Sequence, residues 1–143
     1  MRKIVNIIIL CGIVFTCKAQ SPVLDISARE GLKSLTGAYY KDINNVLNPF
    51  EGTYVYTDGN VTLKIVLQKK TMSYNSRYYE DLLIGEYQCI ENGIEKINTL
   101  SRLNVNYTDQ SNHSIDGGFI ITHDDPSCEG CLPNEKALYG GLA

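Results

Sequence analysis

The residue types best suited to metal or redox chemistry lie in the last third of the chain. They are His113 and His123, followed by Cys128 and Cys131 in the sequence Cys-Glu-Gly-Cys. Imidazole nitrogens and thiolates are the usual protein ligands of Zn²⁺, and the Cys-x-x-Cys spacing is compatible with that metal. The spacing between the histidines fits no standard zinc finger, however, and one Cys-x-x-Cys supplies only half of a site.

The cysteine pair therefore has competing interpretations. In an exported protein, a local disulfide between Cys128 and Cys131 is favoured over zinc, and free or exchanged thiols are the third alternative. A thioredoxin-like redox role needs such a pair at the start of a helix after a strand. Pro126 and Gly130 instead predict a loop. We predict a disulfide, no metal and no cofactor.

Carboxylates offer two further kinds of site. Asp124-Asp125, with Asp116, lack the alternating spacing of a calcium-binding EF-hand loop, so we interpret them as solvated turn residues. Glu80-Asp81 and Glu86 resemble a carboxylate pair for glycoside hydrolysis, but we expect them to be exposed strand residues. There is no Ser/His/Asp nucleophile motif and no phosphate-binding glycine loop. The sequence thus predicts a protein that is not an enzyme.

Residues 1–16 are predicted to be a signal peptide. Arg2 and Lys3 precede an apolar run that is too short to span a bilayer. Val14-Phe15-Thr16-Cys17 resembles a lipobox, in which the cysteine is lipidated and becomes the mature N-terminus. The alternative is an ordinary cleavage after Ala19. We favour lipidation of Cys17, because a cysteine directly after the apolar run is otherwise unexplained.

Either cleavage exports the protein. With the lipid, we expect an anchor in a membrane of the bacterial cell envelope, at the periplasmic face of the outer membrane. Without the lipid, the protein would be secreted or periplasmic. Loss of Arg2 and Lys3 changes the net charge from −3 to −5. An acidic chain with scattered lysines gives no footprint for nucleic acid.

The element expected to organise the fold is a β-hairpin within Asn48–Leu67. Tyr54 and Tyr56 alternate with polar or smaller residues, and a second alternation follows Asp58-Gly59-Asn60. Alternation on both sides of an Asp-Gly turn predicts a hairpin of an antiparallel sheet with one buried face. The residues predicted for that face are Val61, Leu63, Ile65 and Leu67.

The rest of the chain is predicted to be mainly β. Residues 17–36 are expected to be a tether with a short helix, because Ser27–Glu30 matches a capping box. Residues 37–143 are expected to form a single β domain with a helical turn before Pro49. Its further predicted elements are a strand over 78–90 with a bulge or kink at Gly85, a turn at 91–93, a return over 94–100, a strand at 103–107, a strand over 115–122 and a loop-like tail. This order predicts an antiparallel meander that forms a barrel or a strongly curved sheet.

Several motifs carry a resemblance to one family. They are Tyr39-Tyr-Lys-Asp42, Leu47-Asn-Pro-Phe-Glu-Gly-Thr-Tyr54, Tyr79-Glu-Asp81, Gly85-Glu-Tyr87 and Glu91-Asn-Gly93. Over about residues 37–131 the chain resembles the exported bacterial proteins catalogued as domain of unknown function 6705. The resemblance implies a lipoprotein and carries over no catalytic residue. Cys89 stands where that family has an aromatic residue, and we interpret it as incidental.

The resemblance also implies that the chain is a truncated copy, because the family continues with further strands after Pro133-Asn-Glu135. A sheet that stops before closure exposes unpaired backbone groups, so we expect self-association through an open sheet edge. Phe50-Glu-Gly-Thr-Tyr54 resembles the first strand of the lipocalin-like superfamily, with Tyr54 in the position of its Trp. That likeness implies a lipocalin-like barrel.

Together these observations predict a non-enzymatic envelope lipoprotein that binds a small ligand or a partner on the β-sheet. If the barrel is open enough, the tyrosines that would line the site are Tyr54, Tyr56, Tyr78, Tyr79 and Tyr87. The identity of the ligand is unknown at this point. The alternative is a structural or partner-contacting envelope protein with a filled core and no small ligand.

The lipid anchor is directly testable in cells. Metabolic labelling with a palmitate analogue should mark the protein, and Cys17→Ala should abolish the label because the acylated thiol is gone. Cys89→Ala is the matched control and should keep the label. Labelling that survives Cys17→Ala would refute the lipobox interpretation.

Overall fold

The computed structural model describes residues 21–27, 35–124, 126, 128 and 130–142. Eight strands form one sheet, and the described residues contain no helix long and apolar enough to cross a membrane. The strands are β1 (Val23–Asp25), β2 (Tyr39–Lys41), β3 (Gly52–Asp58), β4 (Val61–Tyr74), β5 (Tyr79–Glu91), β6 (Ile94–Asn98), β7 (Ile115–Thr122) and β8 (Lys136–Leu142). Short 3₁₀ helices lie at Asn48–Phe50, Leu100–Asn104 and Gln110–Asn112.

The hairpin predicted from alternation and turn residues is confirmed. β3 and β4 pair in antiparallel register from Asp58 opposite Val61 to Gly52 opposite Leu67. A second confirmed turn joins β5 to β6, where Asn92 and Gly93 both have positive φ, of 53° and 75°. Asn and Gly adopt this left-handed conformation at least cost, and two such residues in sequence match the right-handed twist of a hairpin.

β5 is the strand on which the others assemble. One edge pairs along most of its length with β4. The opposite edge is divided among three partners: β2 at Tyr79–Glu80, β7 at Leu83–Gly85 and β6 at Gln88–Glu91. Gly85 lies at the β7 contact, where a Cβ would be 3.1 Å from the Cβ of Ile115. The close approach of three strands therefore favours glycine there.

The hydrophobic core lies on one side of β5, under the segment that precedes β3. Ile26, Leu47 and Leu83 are buried in it. Partly buried side chains that pack against this cluster are Val46, Phe50, Ile120 and Leu138. The continuous run from Asp81 to Glu86 is buried, which shows that both faces of this part of β5 are covered.

The prediction of an antiparallel, lipocalin-like barrel is corrected by the topology. β1 pairs with β2 and β2 pairs with β5 in parallel, so the sheet is mixed, and it is not closed into a barrel. The division of one β5 edge among three strands explains this, because no single strand continues the meander around that edge. Tyr54, at the Trp position of the lipocalin likeness, is exposed on β3.

Several element predictions also differ from the structure. The predicted tether contains β1, and the predicted loop-like tail contains β8. The strand predicted at 103–107 is instead a 3₁₀ helix followed by a loop, because these residues pair with no strand. The signal peptide and most of the predicted short helix, residues 28–34, lie outside the described residues. The face of β4 expected to be buried is only partly covered, with Val61 exposed.

Candidate functional site

Two of the three buried carboxylates of the described structure lie on β5, and the third, Asp42, follows β2. Asp81 is 2% exposed and Glu86 is 0% exposed. The prediction that both are exposed strand residues is therefore wrong. A carboxylate is stable in such a place only if hydrogen bonds or opposite charges replace its water. Each of the two organises its own cluster of partners.

Asp81 joins its own strand, β5, to β2, to the irregularity in β4 and to the turn at Asp42. Its Oδ1 accepts hydrogen bonds from the Tyr39 hydroxyl at 2.6 Å and from the Met72 backbone N–H at 2.9 Å, and its Oδ2 accepts from the Asp42 N–H at 2.9 Å. Met72 lies in the β4 irregularity between Lys70 and Ser73 and has a φ of 54°. Burial and the bond to Asp81 raise the pKa of Tyr39 to about 12, so its hydroxyl remains a donor.

Asp42 continues this cluster into the turn that leads to β3. Its carboxylate accepts from the N–H groups of Val46 and Leu47 and from Lys69 Nζ at 2.7 Å. Burial raises the pKa of Asp42, but the Lys69 ammonium and the two backbone donors lower it more, so it lies below its usual value. Lys69 Nζ also donates to Asn48. These bonds fix the segment that covers the core.

Glu86 is held from the other side by the loop before β7. His113 Nδ1 lies 2.9 Å from Glu86 Oε1, and the Ser114 hydroxyl donates to Oε2 at 2.6 Å. Since a carboxylate only accepts, Nδ1 carries the proton. Burial raises the pKa of Glu86, but the bonds from Ser114, Thr99 and His113 outweigh it and keep the pKa below its usual value.

Glutamate, histidine and serine are the residue types of a hydrolase triad, but their geometry here is different. In a triad the serine bonds to the imidazole, whereas the Ser114 hydroxyl donates to Glu86 itself. His113 is also 0% exposed, and its ring packs edge-on against the Tyr107 ring, with the two ring centroids 4.8 Å apart. Its Nε2 finds no hydrogen-bond partner among the described residues. Ser114 is 4% exposed, so both side chains are closed off from solvent in this arrangement.

A family model described as a family of unknown function, DUF6705, matches residues 1–139. The chain belongs to this family. No curated protein and no solved structure matches it.

Three of the DUF6705 motifs contain the buried carboxylates of these clusters. Asp42 closes the motif that begins at Tyr39, Asp81 closes the motif that begins at Tyr79, and Glu86 is the centre of Gly85-Glu-Tyr87. All three carboxylates are buried and each accepts several hydrogen bonds. Their observed contacts join strands and turns to one another.

The four side chains weighed as metal ligands, His113, His123, Cys128 and Cys131, do not assemble into one site. His123 Nδ1 lies 2.7 Å from the backbone oxygen of Cys131 and not from its sulfur. In the described part of the chain no three His, Cys, Asp or Glu side chains come together as metal ligands. Cys128 and Cys131 are paired in the structure, with Cα atoms 5.5 Å apart. Their oxidation in the exported protein stays a prediction.

The five predicted ligand-binding tyrosines fall into two groups. Tyr54 and Tyr87 are both opposite Ile65, and Tyr56 is opposite Leu63, so these three share one face of the sheet. Tyr78 and Tyr79 lie at the other end of β5, where Tyr78 packs against Tyr40 and Tyr79 against Tyr74. The structure therefore does not bring the five together in one site.

The depressed pKa of Glu86 predicts loss of stability in acid. A carboxylate whose pKa is lower in the folded than in the unfolded state stabilises the fold above its ordinary value of 4.5. That contribution is lost as the pH falls through the lower folded pKa. We expect the free energy of unfolding, measured by urea denaturation, to decrease from pH 5 to pH 3.

Glu86→Gln should lower stability at pH 7 by about 1–3 kcal/mol, because a buried network loses a charged acceptor. It should also reduce the slope of stability against pH between 5 and 3. Asp58→Asn, at an exposed carboxylate of the β3–β4 turn, is the matched control and should retain the wild-type slope. An unchanged slope in Glu86→Gln would contradict this assignment.

Proposed function

We propose that this protein is an exported, lipid-anchored and non-enzymatic binding protein of the bacterial cell envelope. It would hold a partner protein on one side of the sheet, here called the apolar face. This face is defined by the side chains that share one side of β3 to β6: Tyr54, Tyr56, Val61, Leu63, Ile65, Leu67, Tyr87, Cys89, Ile94 and Ile97. Lipidation of Cys17 would place it at a membrane surface.

The observation that carries this proposal is the exposure of the apolar face. Tyr56 and Ile94 are each 62% exposed, and Ile97 is 46% exposed. A sheet with one wet face normally presents its polar side to water. On the other side, Thr99, His113 and Ser114 hydrogen-bond to Glu86 and cover it. A contiguous apolar patch left open in this way is typical of an interaction surface.

The apolar face also continues the side of the sheet that forms the core. Leu83 is two residues from Gly85, and Gly85 is opposite Leu67, so the buried cluster and the open face lie on the same side of β5. The segment fixed by Asp42 covers only one end of this side. A partner that covers the other end would extend an existing apolar contact.

An open sheet favours a protein partner over a small molecule as the occupant. A small molecule on an unclosed face keeps one side in water, whereas ligand pockets bury most of the ligand surface. A protein surface can cover Tyr54, Tyr56 and Ile97 together, and tyrosines are enriched at such interfaces. The outer edge of β3 pairs with no other strand in the described sheet, so it also offers backbone groups to a partner strand.

Binding of a small ligand is the second candidate, at a different place. A cavity of about 340 Å³ beside the core is lined by apolar side chains, among them Ile26 and Ile120, and also by Asp124 and Lys136. Its size falls in the lower part of the range for ligand pockets. A function at this cavity would be unaffected by substitutions on the apolar face.

Site-specific photo-cross-linking in cells tests the proposed face. A photoreactive amino acid at position 56 should form a discrete cross-link to one partner, identified by mass spectrometry and reproduced with the purified partner. The same amino acid at position 55 is the matched control, because Val55 is 63% exposed on the same strand and points to the opposite side.

Ile97→Lys should abolish the cross-link from position 56, since a buried unpaired charge is costly in an interface. Equal cross-linking from positions 55 and 56, or no cross-link from either, would refute the assignment of the apolar face. A cross-link between two copies of this chain would identify self-association as the contact.

A further inference from the structure

The segment Thr53-Tyr-Val-Tyr-Thr57 of β3 has the same sequence when it is read in either direction. Val55 is its centre, and the outer edge of β3 pairs with no other strand in the described sheet. Two antiparallel copies of such a segment can place each residue type opposite itself. The palindrome therefore suits pairing with a second copy of this chain about a two-fold axis.

The backbone of alternate residues in this palindrome faces the free edge. A two-residue turn joins β3 to β4, so Asp58 and Val61 form the hydrogen-bonded pair that closes the turn. Hydrogen-bonded pairs recur at every second residue of an antiparallel ladder, and the register of β3 against β4 has no shift. The backbone N–H and C=O groups that point away from β4 are therefore those of Thr53, Val55 and Thr57.

β3 also lacks the features that usually protect an edge strand, which are short length, central charges, proline and bulges. It has seven residues, an unshifted register and one charged residue, Asp58, at its end. Two other strands with a single described partner are less suitable. β6 has Glu95 and Lys96 within its five residues. β8 has Gly140 and Gly141, which offer no side chain to a neighbouring strand.

The register that overlaps two β3 strands completely has Val55 at the two-fold axis, and its cross-strand pairs are favourable. Tyr54 lies beside Tyr56 of the second copy, and Thr53 lies beside Thr57. Aromatic pairs and Thr–Thr pairs both stabilise a sheet. The outward backbone groups form about six hydrogen bonds between the copies. The aspartate that ends β3 lies roughly 20 Å from its counterpart, at about 3.3 Å per residue, so these like charges are screened from each other.

We propose that two copies of this chain pair through their β3 strands, antiparallel and centred on Val55, to form a two-fold symmetric dimer with one continuous sheet. The two apolar faces then lie side by side on the same side of this sheet. The dimer does not depend on the proposed partner protein, because the purified chain alone forms it. In the photo-cross-linking experiment, products of two copies report this dimer, and the comparison of positions 55 and 56 concerns products with other proteins.

Sedimentation of the purified mature chain over a range of concentrations tests the dimer. All chains carry Cys17→Ala and Cys89→Ala, which remove the predicted lipid site and the free thiol. Val55→Lys should weaken dimerisation by about tenfold or more, because two ammonium groups then oppose each other at the axis. Asp58→Asn is the matched control and should dimerise as the parent chain does, and thermal unfolding shows that each variant is folded. A parent chain that is monomeric at every concentration would overturn the proposal, as would an equally tight dimer of Val55→Lys.

Engineered cysteines in the same parent chain test the register. Val55→Cys should give a disulfide-linked dimer on mild oxidation, because the Cα atoms of such a pair lie about 5.5 Å apart, within the range of a disulfide. Thr57→Cys is the matched control on the same strand and side, and it should give no such dimer, since its Cα atoms lie roughly 13 Å apart. Thr53→Cys mixed with Thr57→Cys should restore the linked dimer. Equal yields from Val55→Cys and Thr57→Cys alone, or no linked dimer from Val55→Cys, would overturn the proposal.

Discussion

The burial of two carboxylates on the central strand β5 is the constraint on which the rest of the structure depends. Asp81 needs donors from β2, from the β4 bulge and from the turn at Asp42. Glu86 needs donors from the loop that carries His113 and Ser114. Removing water from a carboxylate costs several kcal/mol unless such donors replace it. These requirements fix where the segments on both sides of β5 must lie.

The same constraint explains why the sheet is open at one end. The donors for Asp81 hold residues 42–50 over the core side of β5. This segment does not extend as far as β6. The donors for Glu86 come from the opposite side. The β3–β6 end of the core side therefore keeps its tyrosine and isoleucine side chains in water. This exposed apolar surface beside the core is the observation on which the proposed partner contact rests.

The strands with strong alternation were predictable from the sequence, and the pairings made by a few residues were not. The β3–β4 and β5–β6 hairpins follow from Asp58-Gly59 and Asn92-Gly93. β1 and β2 are three residues each, which is too short for alternation to be visible. Their parallel pairing turns the expected meander into a mixed sheet.

The buried clusters were missed because an acidic residue in a strand is usually exposed. One signal for them was present in the sequence. Leu82, Leu83 and Ile84 are consecutive apolar residues, and such a run indicates a strand covered on both faces. The neighbouring Asp81 and Glu86 would then be buried as well. The partners Thr99 and His113 lie in irregular segments, for which periodicity gives no prediction.

The central claim is that Asp81 joins β2, the β4 bulge and the Asp42 turn through its hydrogen bonds. Amide hydrogen exchange of Asp81→Asn tests it most directly, because an asparagine side chain has a single acceptor oxygen. The account predicts faster exchange at the Met72 or Asp42 amide than in the wild type, while the Asp58→Asn control leaves both unchanged. Wild-type protection of both amides in Asp81→Asn would contradict the claim.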